Sequence, residues 1–214
     1  MRTDTRERLL RTAARLFHEQ GYAATGVATI LREADANSGS LYHFFPNKEA
    51  LLSGVLEWYR DHLEEIVLRP VEDAEPDPVE RIFRLLDWYR DGMTQSGCRL
   101  GCPIGNLALE VSDTHPEVRP LLDENFRGWA AGIRRWLEDA GSRLPPDADR
   151  DALSRFVLTV MEGGLMQARA SDDLAPFDAS VGVLRNHLDA LLLDKTPRKR
   201  AAKRALPARR KGNR

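Results

Sequence analysis

Apolar residues recur three and four positions apart along almost the whole chain, and this spacing limits the folds that it can adopt. Leu9, Leu10, Ala13, Leu16 and Phe17 form one such stripe. This spacing puts apolar side chains on one face of an α-helix, whereas a half-buried β-strand alternates with a period of two. No segment alternates convincingly in that way. The sequence therefore predicts an all-α fold without a sheet, and its 42% of hydrophobic residues can form a core.

Capping residues and prolines divide this pattern into separate helices. Gly21 stops the first helix, Thr25 can cap a short second one, and Asn37 can cap a third that runs through Phe44. Asn47 can start a helix that runs to about Leu68, followed by a loop over VEDAEPDP. Later helices are expected from Pro78 to about Gln95, after Pro103, from Pro116 to about Ala140, and over roughly 150–169 and 176–193.

The net charge of -1 conceals an uneven distribution of charge along the chain. Residues 195–214 hold ten of the 32 Lys and Arg and no acidic residue, which leaves 22 basic against 33 acidic residues in 1–194. A segment with so few large apolar residues cannot bury enough surface to order itself, so we predict a disordered basic tail. It is either an arm that binds DNA phosphates weakly or a solubilising end.

Membrane insertion, secretion and metal binding find little support in the sequence. There is no run of about 18 apolar residues, and the N-terminus lacks a signal-peptide apolar stretch, so a cytoplasmic protein is expected. Cys98 and Cys102 make no disulfide framework, and two thiols without a third ligand make a poor zinc site. We expect no cofactor and no metal. The two cysteines are either ordinary small core residues, the favoured interpretation, or a thiol sensor.

The segment TGVATILREADANSGSLYHFFPNKEALL, which begins at residue 25, satisfies the requirements of a helix-turn-helix. Such a motif needs two short helices, a tight turn, and small or polar residues where the second helix approaches base edges. Asp35 and Ala36 can form the turn, and Ser38, Gly39 and Ser40 open the second helix. We expect the apolar positions that follow to pack inward while their neighbours turn toward DNA.

The orientation of the remaining residues follows from their helical spacing. Leu41 and Phe45 lie four apart and can pack inward, while Tyr42 and His43 face phosphates. Thr25 and Lys48 stand at the starts of two other helices, where free backbone N–H groups favour phosphate. The predicted DNA-binding set is Thr25, Ser38, Gly39, Ser40, Tyr42, His43 and Lys48.

Residues 5–51 resemble the N-terminal domain of the TetR family of regulators. The match includes FHEQGYAAT at the end of the first helix, the G-S-L-Y-H block, the closing Phe45 and the K-E-A-L run from Lys48. The resemblance implies that Ser38, Ser40, Tyr42, His43 and Lys48 face DNA, with Thr25 on a phosphate. Two residues depart from the family pattern. Asp35 stands in the turn, where the family usually has Gly, although Asp tolerates a left-handed backbone better than most residues. Phe44 stands where His or Tyr is common.

The rest of the chain resembles the family more loosely, with GCPIGNLALE similar to a block in one branch. The resemblance implies a helix-turn-helix domain at 1–46 and an effector-binding and dimerisation domain at 47–194, whose last two helices form a four-helix bundle in the homodimer. The composition adds the disordered tail at 195–214. If Asn106 and Glu110, four apart, prove buried, they would face one cavity. Simple core packing is the alternative for most pocket candidates, which are Trp58, His62, Trp88, Tyr89, Met93, Cys102, Asn106, Glu110, Phe126, Trp129, Met161 and Met166.

These features predict a ligand-responsive transcriptional repressor. We expect a homodimer that binds palindromic operator DNA, is released by a small organic effector and does not bind membranes. One alternative is an enzyme, such as a helical hydrolase or thiol oxidoreductase, but G-x-S-x-G, Walker, H-E-x-x-H and C-x-x-C motifs are absent from the sequence. Another is an architectural DNA-binding protein that senses nothing. A cavity in the second domain would favour the repressor over the architectural protein.

Overall fold

The computed structural model describes residues 5–192, in which helices and turns carry the chain and there is no β-strand, so the all-α prediction is confirmed. The predicted tail at 195–214 lies outside the described residues. None of the helices within 5–192 is both long enough and apolar enough to cross a bilayer. The α-helices are α1 (Thr5–Gln20), α2 (Val27–Glu33), α3 (Ser38–Phe44), α4 (Lys48–Leu63), α5 (Arg69–Ala74), α6 (Pro78–Ser96), α7 (Pro103–Val111), α8 (Arg119–Asp139), α9 (Arg150–Ser171) and α10 (Ala175–Leu191).

Helices α1 to α3 form the predicted three-helix unit, and α3 is capped as expected. The Asn37 side-chain oxygen accepts a hydrogen bond from the Ser40 backbone N–H at 2.8 Å. Leu41 is 0% exposed and Phe45 is 3% exposed, so both pack inward as predicted. Asp35 takes a left-handed backbone with φ of +46° in the turn between α2 and α3. The turn therefore has the conformation that glycine usually provides, with an aspartate in its place.

Thr25 does not cap α2, which corrects the prediction. Its side chain is fully buried, and its hydroxyl donates a hydrogen bond to the Gly21 carbonyl oxygen at 2.6 Å. The N-cap of α2 is Gly26, without a side-chain hydrogen bond. Carbonyl groups at a helix end lack partners within the helix. Thr25 satisfies one just beyond the end of α1 instead of turning outward.

The helix that begins after Asn47 runs further than predicted. The Asn47 side chain caps α4 by accepting from the Ala50 N–H at 2.7 Å, as expected. Beyond α4 the chain makes a π-helical turn over Glu64–Leu68 and continues into α5, so the first part of the predicted VEDAEPDP loop is helical. Glu72 explains this extension, because its carboxylate accepts hydrogen bonds from Arg135 at 2.7 Å and Trp136 at 2.6 Å and thereby fastens α5 to α8.

The predicted break between α6 and α7 is present. Gly97, Cys98 and Gly101 have φ angles of +60°, +55° and +66°, so a continuous helix cannot pass through this segment. Two adjacent glycines of α9 are typical either of a dimer interface or of close helix packing within the chain. A Cβ atom at Gly164 would lie 2.9 Å from the Phe177 ring, which marks close packing of α9 on α10 within the chain. A Cβ atom at Gly163 would meet nothing within 4 Å.

Candidate functional site

The outer surface of α3, which we call the α3 face, consists of Ser38, Gly39, Ser40, Tyr42 and His43. Four of these residues are exposed and Ser40 is half-buried. Tyr42 presents 54% of its surface to solvent although it is a large aromatic residue. Because Leu41 anchors the opposite side of α3, this short helix can present its small residues and its two rings to the same partner. Such a surface matches the width and chemistry of a DNA major groove.

The side chain of Lys48 contacts Tyr22 in this structure, and its predicted contact with DNA stays a prediction. Its ammonium group donates to the Tyr22 carbonyl oxygen at 2.5 Å and lies 4.1 Å from the centroid of the Tyr22 ring. Burial lowers the pKa of Lys48, and the charge of Glu110 partly opposes this shift. In this conformation the Lys48 side chain joins the start of α4 to the turn between α1 and α2, and the residue remains partly exposed.

Glu110 joins the three-helix unit to α7 and does not face a cavity with Asn106, contrary to the prediction. Its carboxylate accepts hydrogen bonds from the backbone N–H groups of Tyr22 and Ala23, both at 2.8 Å. We call Glu110, Tyr22 and Ala23 the interdomain latch. Gly21 allows the approach, because its φ of +87° turns the chain and a Cβ atom there would lie 3.1 Å from the carboxylate. The latch holds the turn between α1 and α2 against the second domain.

A cavity of about 280 Å³, cavity 1, lies among α1, α4, α6 and α8. Aromatic and apolar side chains form most of its wall. Half of the predicted pocket residues line cavity 1, namely Trp58, His62, Trp88, Tyr89, Met93 and Trp129. Their contact with a ligand stays a prediction.

His62 supplies a defined polar group to cavity 1. Its ring stacks on Trp58 with centroids 4.7 Å apart, and its Nδ1 lies 2.8 Å from the Trp58 carbonyl oxygen. A carbonyl oxygen can only accept, so Nδ1 carries the proton in this contact. In the neutral ring the other nitrogen, Nε2, is then a hydrogen-bond acceptor. Cavity 1 thus combines flat apolar walls with an acceptor at His62.

Three hydrogen bonds connect α1 to cavity 1 and the segment beside it. The Nε2 atom of His18 lies 3.0 Å from the carbonyl oxygen of Gly101, and both residues line the cavity. Trp58 and Tyr59, also on its wall, donate to the Glu7 carboxylate at 3.1 Å and the Ala14 carbonyl at 3.3 Å. His18 could not be identified as a cavity residue from the sequence, because its partner lies 83 residues away and the spacing of residues along α1 does not reveal that partner. The helix that backs α3 is therefore also a wall of cavity 1.

A second cavity of about 270 Å³, cavity 2, lies among α7, α8 and α9. Cys102, Asn106, Phe126 and Met166, all predicted pocket residues, line it. Glu110 lines neither cavity. Met161 lines neither cavity and is 0% exposed, so it is the core residue that the alternative interpretation describes.

The two cysteines have the surroundings of core residues. Both are buried free thiols. Burial, reinforced by the charge of Glu162, raises the pKa of the Cys102 thiol well above its usual value. Since the thiolate is the reactive form, this shift disfavours reaction with electrophiles or oxidants. The structure thus favours the core interpretation of Cys102 over the thiol sensor.

Comparisons with known proteins agree with this architecture. The family model for bacterial regulatory proteins of the tetR family matches residues 9–55, and the model for the LmrA/YxaF-like transcriptional regulator C-terminal domain matches residues 78–181. The HTH-type transcriptional regulator YxaF of Bacillus subtilis is 33% identical over 82% of this chain and 90% of its own length.

A named repressor and a solved structure are also similar. The HTH-type transcriptional repressor DhaR of a Mycobacterium species is 28% identical over 86% of this chain and 91% of its own length. The crystal structure of a regulatory protein TetR from Rhodobacter sphaeroides superposes with a TM-score of 0.76 at 25% identity, covering 86% of this chain and 99% of the other. The matches thus extend over both the three-helix unit and the domain that follows it.

Proposed function

The chain belongs to the TetR family of bacterial transcriptional regulators, and from this membership we propose that it is a ligand-responsive repressor. In this proposal a homodimer acts in the cytoplasm, binds a palindromic operator through two α3 helices, and leaves it when a small organic effector binds. The observation that carries the proposal is the α3 face, an exposed polar and aromatic surface on a helix whose other side is anchored by the buried Leu41.

The α3 face offers two kinds of contact to DNA. Ser38 and Gly39 at the start of the helix are small and exposed, so the backbone can approach base edges closely. Tyr42 and His43 stand beside them and suit phosphates, which fix the register without reading sequence. One such helix reads few bases, and a two-fold dimer doubles the contacts at half-sites about one or more helical turns apart.

The last two helices support the dimer. Phe156 on α9 exposes 41% of its surface, and Val183 on α10 exposes 66%. Large apolar side chains exposed on neighbouring helices are typical of protein interfaces. Pairing of α9 and α10 with the same helices of a second copy would cover them. A four-helix bundle of this kind is what the family resemblance implies.

Cavity 1 is the proposed effector site. Its aromatic wall favours a flat apolar or aromatic ligand, and the Nε2 atom of His62 favours a hydrogen-bond donor on that ligand. The cavity favours a sensor over an architectural DNA-binding protein. Because α1 carries His18 in the cavity wall and also supports α3, a ligand that shifts α1 changes the position of the α3 face. The ligand must bind the shifted state more tightly, since equal affinity for both states shifts nothing.

The first prediction tests the α3 face. Replacing Tyr42 with alanine is expected to weaken binding to operator and random duplex alike, by roughly 5- to 30-fold, because a phosphate contact contributes about 1–2 kcal/mol and carries no sequence information. Fluorescence anisotropy with an operator recovered by footprinting measures this. The melting temperature should stay unchanged, since Tyr42 is exposed. Arg127→Ala, which removes an exposed charge on α8, is the matched control and should bind normally. Normal affinity of the Tyr42 variant would contradict the assignment.

The second prediction tests cavity 1. Three of the four tryptophans, Trp58, Trp88 and Trp129, line it. An effector in cavity 1 is therefore expected to change tryptophan emission over the same concentration range in which it releases the operator. Trp88→Phe keeps an aromatic wall and should reduce the emission change while leaving release intact. A compound that releases the operator without any change in emission would place the effector elsewhere.

A further inference from the structure

Cavity 2 contains a buried carboxylate that the proposed repressor mechanism does not use. Glu162, on α9, lines this cavity. Its Oε1 atom is shielded from solvent and has no hydrogen-bond partner among the described residues. Burial raises the pKa of Glu162, and a hydrogen bond with Cys102 opposes that shift only in part. A buried polar atom without a partner is unfavourable, and more so when it is charged, so a partner from outside the chain would be favoured.

The neighbouring helix makes room for this carboxylate. Gly105 lies in the first turn of α7 and also lines cavity 2. Any Cβ atom at this position would collide with the Oε2 atom of Glu162. The side chain of Glu162 therefore reaches against α7 at a residue that has no side chain. This packing places the carboxylate at the cavity wall and leaves Oε1 without a donor among the described residues.

The basic side chain on the cavity wall is directed to a different acceptor. Arg169 donates to the Oδ1 atom of Asn106 at 3.1 Å, and the Asn106 amide donates to the Leu100 carbonyl at 2.5 Å. No ion pair to Glu162 occurs within the part of the chain that the structure describes. The remainder of the wall is mostly apolar and includes Phe126 and Met166. Cavity 2 thus offers one uncompensated carboxylate beside apolar surface.

We propose that cavity 2 is a second ligand site, separate from cavity 1, which binds a small organic cation with a primary ammonium group. The ammonium donates to the carboxylate of Glu162, and the apolar body of the ligand packs against Phe126 and Met166. A charged donor suits a buried carboxylate better than a neutral one, because a charge-assisted hydrogen bond is roughly twice as strong. The volume of about 270 Å³ restricts the ligand to a small molecule.

This site also has a route to the DNA-binding unit. Gly101 lines both cavities, and its carbonyl oxygen is the partner of His18 on α1. Between the cavities the Tyr89 hydroxyl lies 3.6 Å from the Cys102 sulfur, so a shared wall separates them. A ligand in cavity 2 therefore acts on the same segment as one in cavity 1. The inference does not depend on which effector cavity 1 accepts.

Isothermal calorimetry on the full-length protein, with benzylamine as the probe, tests the proposal. We expect one site per chain. Glu162→Gln, which preserves shape and removes the charge, should weaken benzylamine binding at least tenfold, equivalent to about 1.4 kcal/mol. Benzyl alcohol, a neutral molecule of the same shape, should bind the wild-type protein more weakly than benzylamine and should be nearly insensitive to the substitution. Glu65→Gln, at an exposed position, is the matched control and should bind benzylamine normally.

Two further readouts keep the result interpretable. Glu162→Gln should melt at the same temperature as the wild type or higher, because it removes a buried charge, so lost binding cannot reflect unfolding. Cavity 2 has no tryptophan on its described wall, so benzylamine should change tryptophan emission less than a ligand in cavity 1 does. Equal affinity in Glu162→Gln, equal affinity for benzyl alcohol, a large emission change, or no binding at about 10 mM probe would each overturn the proposal. The last result would mean that cavity 2 does not accept an organic ammonium.

Discussion

Replacing Leu41 with alanine is expected to destabilise the three-helix unit by about 2–5 kcal/mol and to abolish operator binding. Leu41 is 0% exposed at the centre of α3 and belongs to the buried core that α1 and α4 share. The substitution removes apolar contacts and leaves a cavity that the short helix can fill only in part. A unit of this size buries little apolar surface, so its free energy of unfolding is small and a loss of this magnitude can unfold it. The α3 face would then lose the helix that presents it.

Two measurements separate this effect from a general loss of folding. Circular dichroism should show a lower melting temperature for Leu41→Ala, and hydrogen exchange should place the loss of protection in α1 to α3, with α9 and α10 protected as before. Tyr42→Ala, one residue along the same helix, is the matched control, since it alters the exposed surface and not the core. Wild-type stability of Leu41→Ala together with normal operator affinity would show that α3 is not anchored through this side chain.

Replacing Glu110 with alanine is expected to open the interdomain latch and to uncouple effector binding from operator release. Two backbone N–H groups, of Tyr22 and Ala23, lose a charged acceptor. A buried hydrogen bond to a charged group contributes about 1.5–3 kcal/mol to stability. Because Glu110 is exposed and its charge is screened by solvent, we expect about 1–2 kcal/mol for the two hydrogen bonds together. The amide protons of both residues should then exchange roughly 5- to 30-fold faster.

The loss of coupling is measured by titrating an effector into the protein–operator complex. In the wild type the effector weakens operator binding; in Glu110→Ala this change should shrink toward none, because the latch that transmits movement of the second domain to the α1–α2 turn is gone. Asp113→Ala removes an exposed carboxylate just after α7 and should respond normally. Glu110→Gln keeps one acceptor oxygen and should give an intermediate result. Unchanged amide exchange in Glu110→Ala would contradict the role of the latch.

The three-helix unit could be predicted closely because its signals are local. Asn37 and Asn47 cap helices that begin one residue later, and Leu41 and Phe45 lie on one face at a spacing that the sequence displays directly. Thr25 was predicted wrongly as a cap because a threonine at a helix boundary can serve the helix before it or the one after it. Sequence alone does not distinguish these two roles.

The second domain was harder to predict because its functional contacts join distant positions. Six aromatic, His and Met residues of α4, α6 and α8, which the resemblance offered as pocket residues and periodicity alone could not separate from core, line cavity 1, and their contact with a ligand stays a prediction. Glu110 meets a backbone 88 residues away, and no periodicity in α7 reveals that partner. Glu162 was missed for the same reason: its carboxylate depends on the absence of a side chain at Gly105, on another helix.

The π-helical turn at Glu64–Leu68 bears on how regulators of this kind can diverge. A π turn holds one more residue than the corresponding α-helical turn, so it is equivalent to a single-residue insertion. Ile66 and Val67, within this turn, lie on the wall of cavity 1. The Asn47 cap and the Glu72 contacts secure the helix on either side. Gain or loss of one codon here reshapes the wall while α3 keeps its sequence, so ligand preference can evolve without a matching change in the operator.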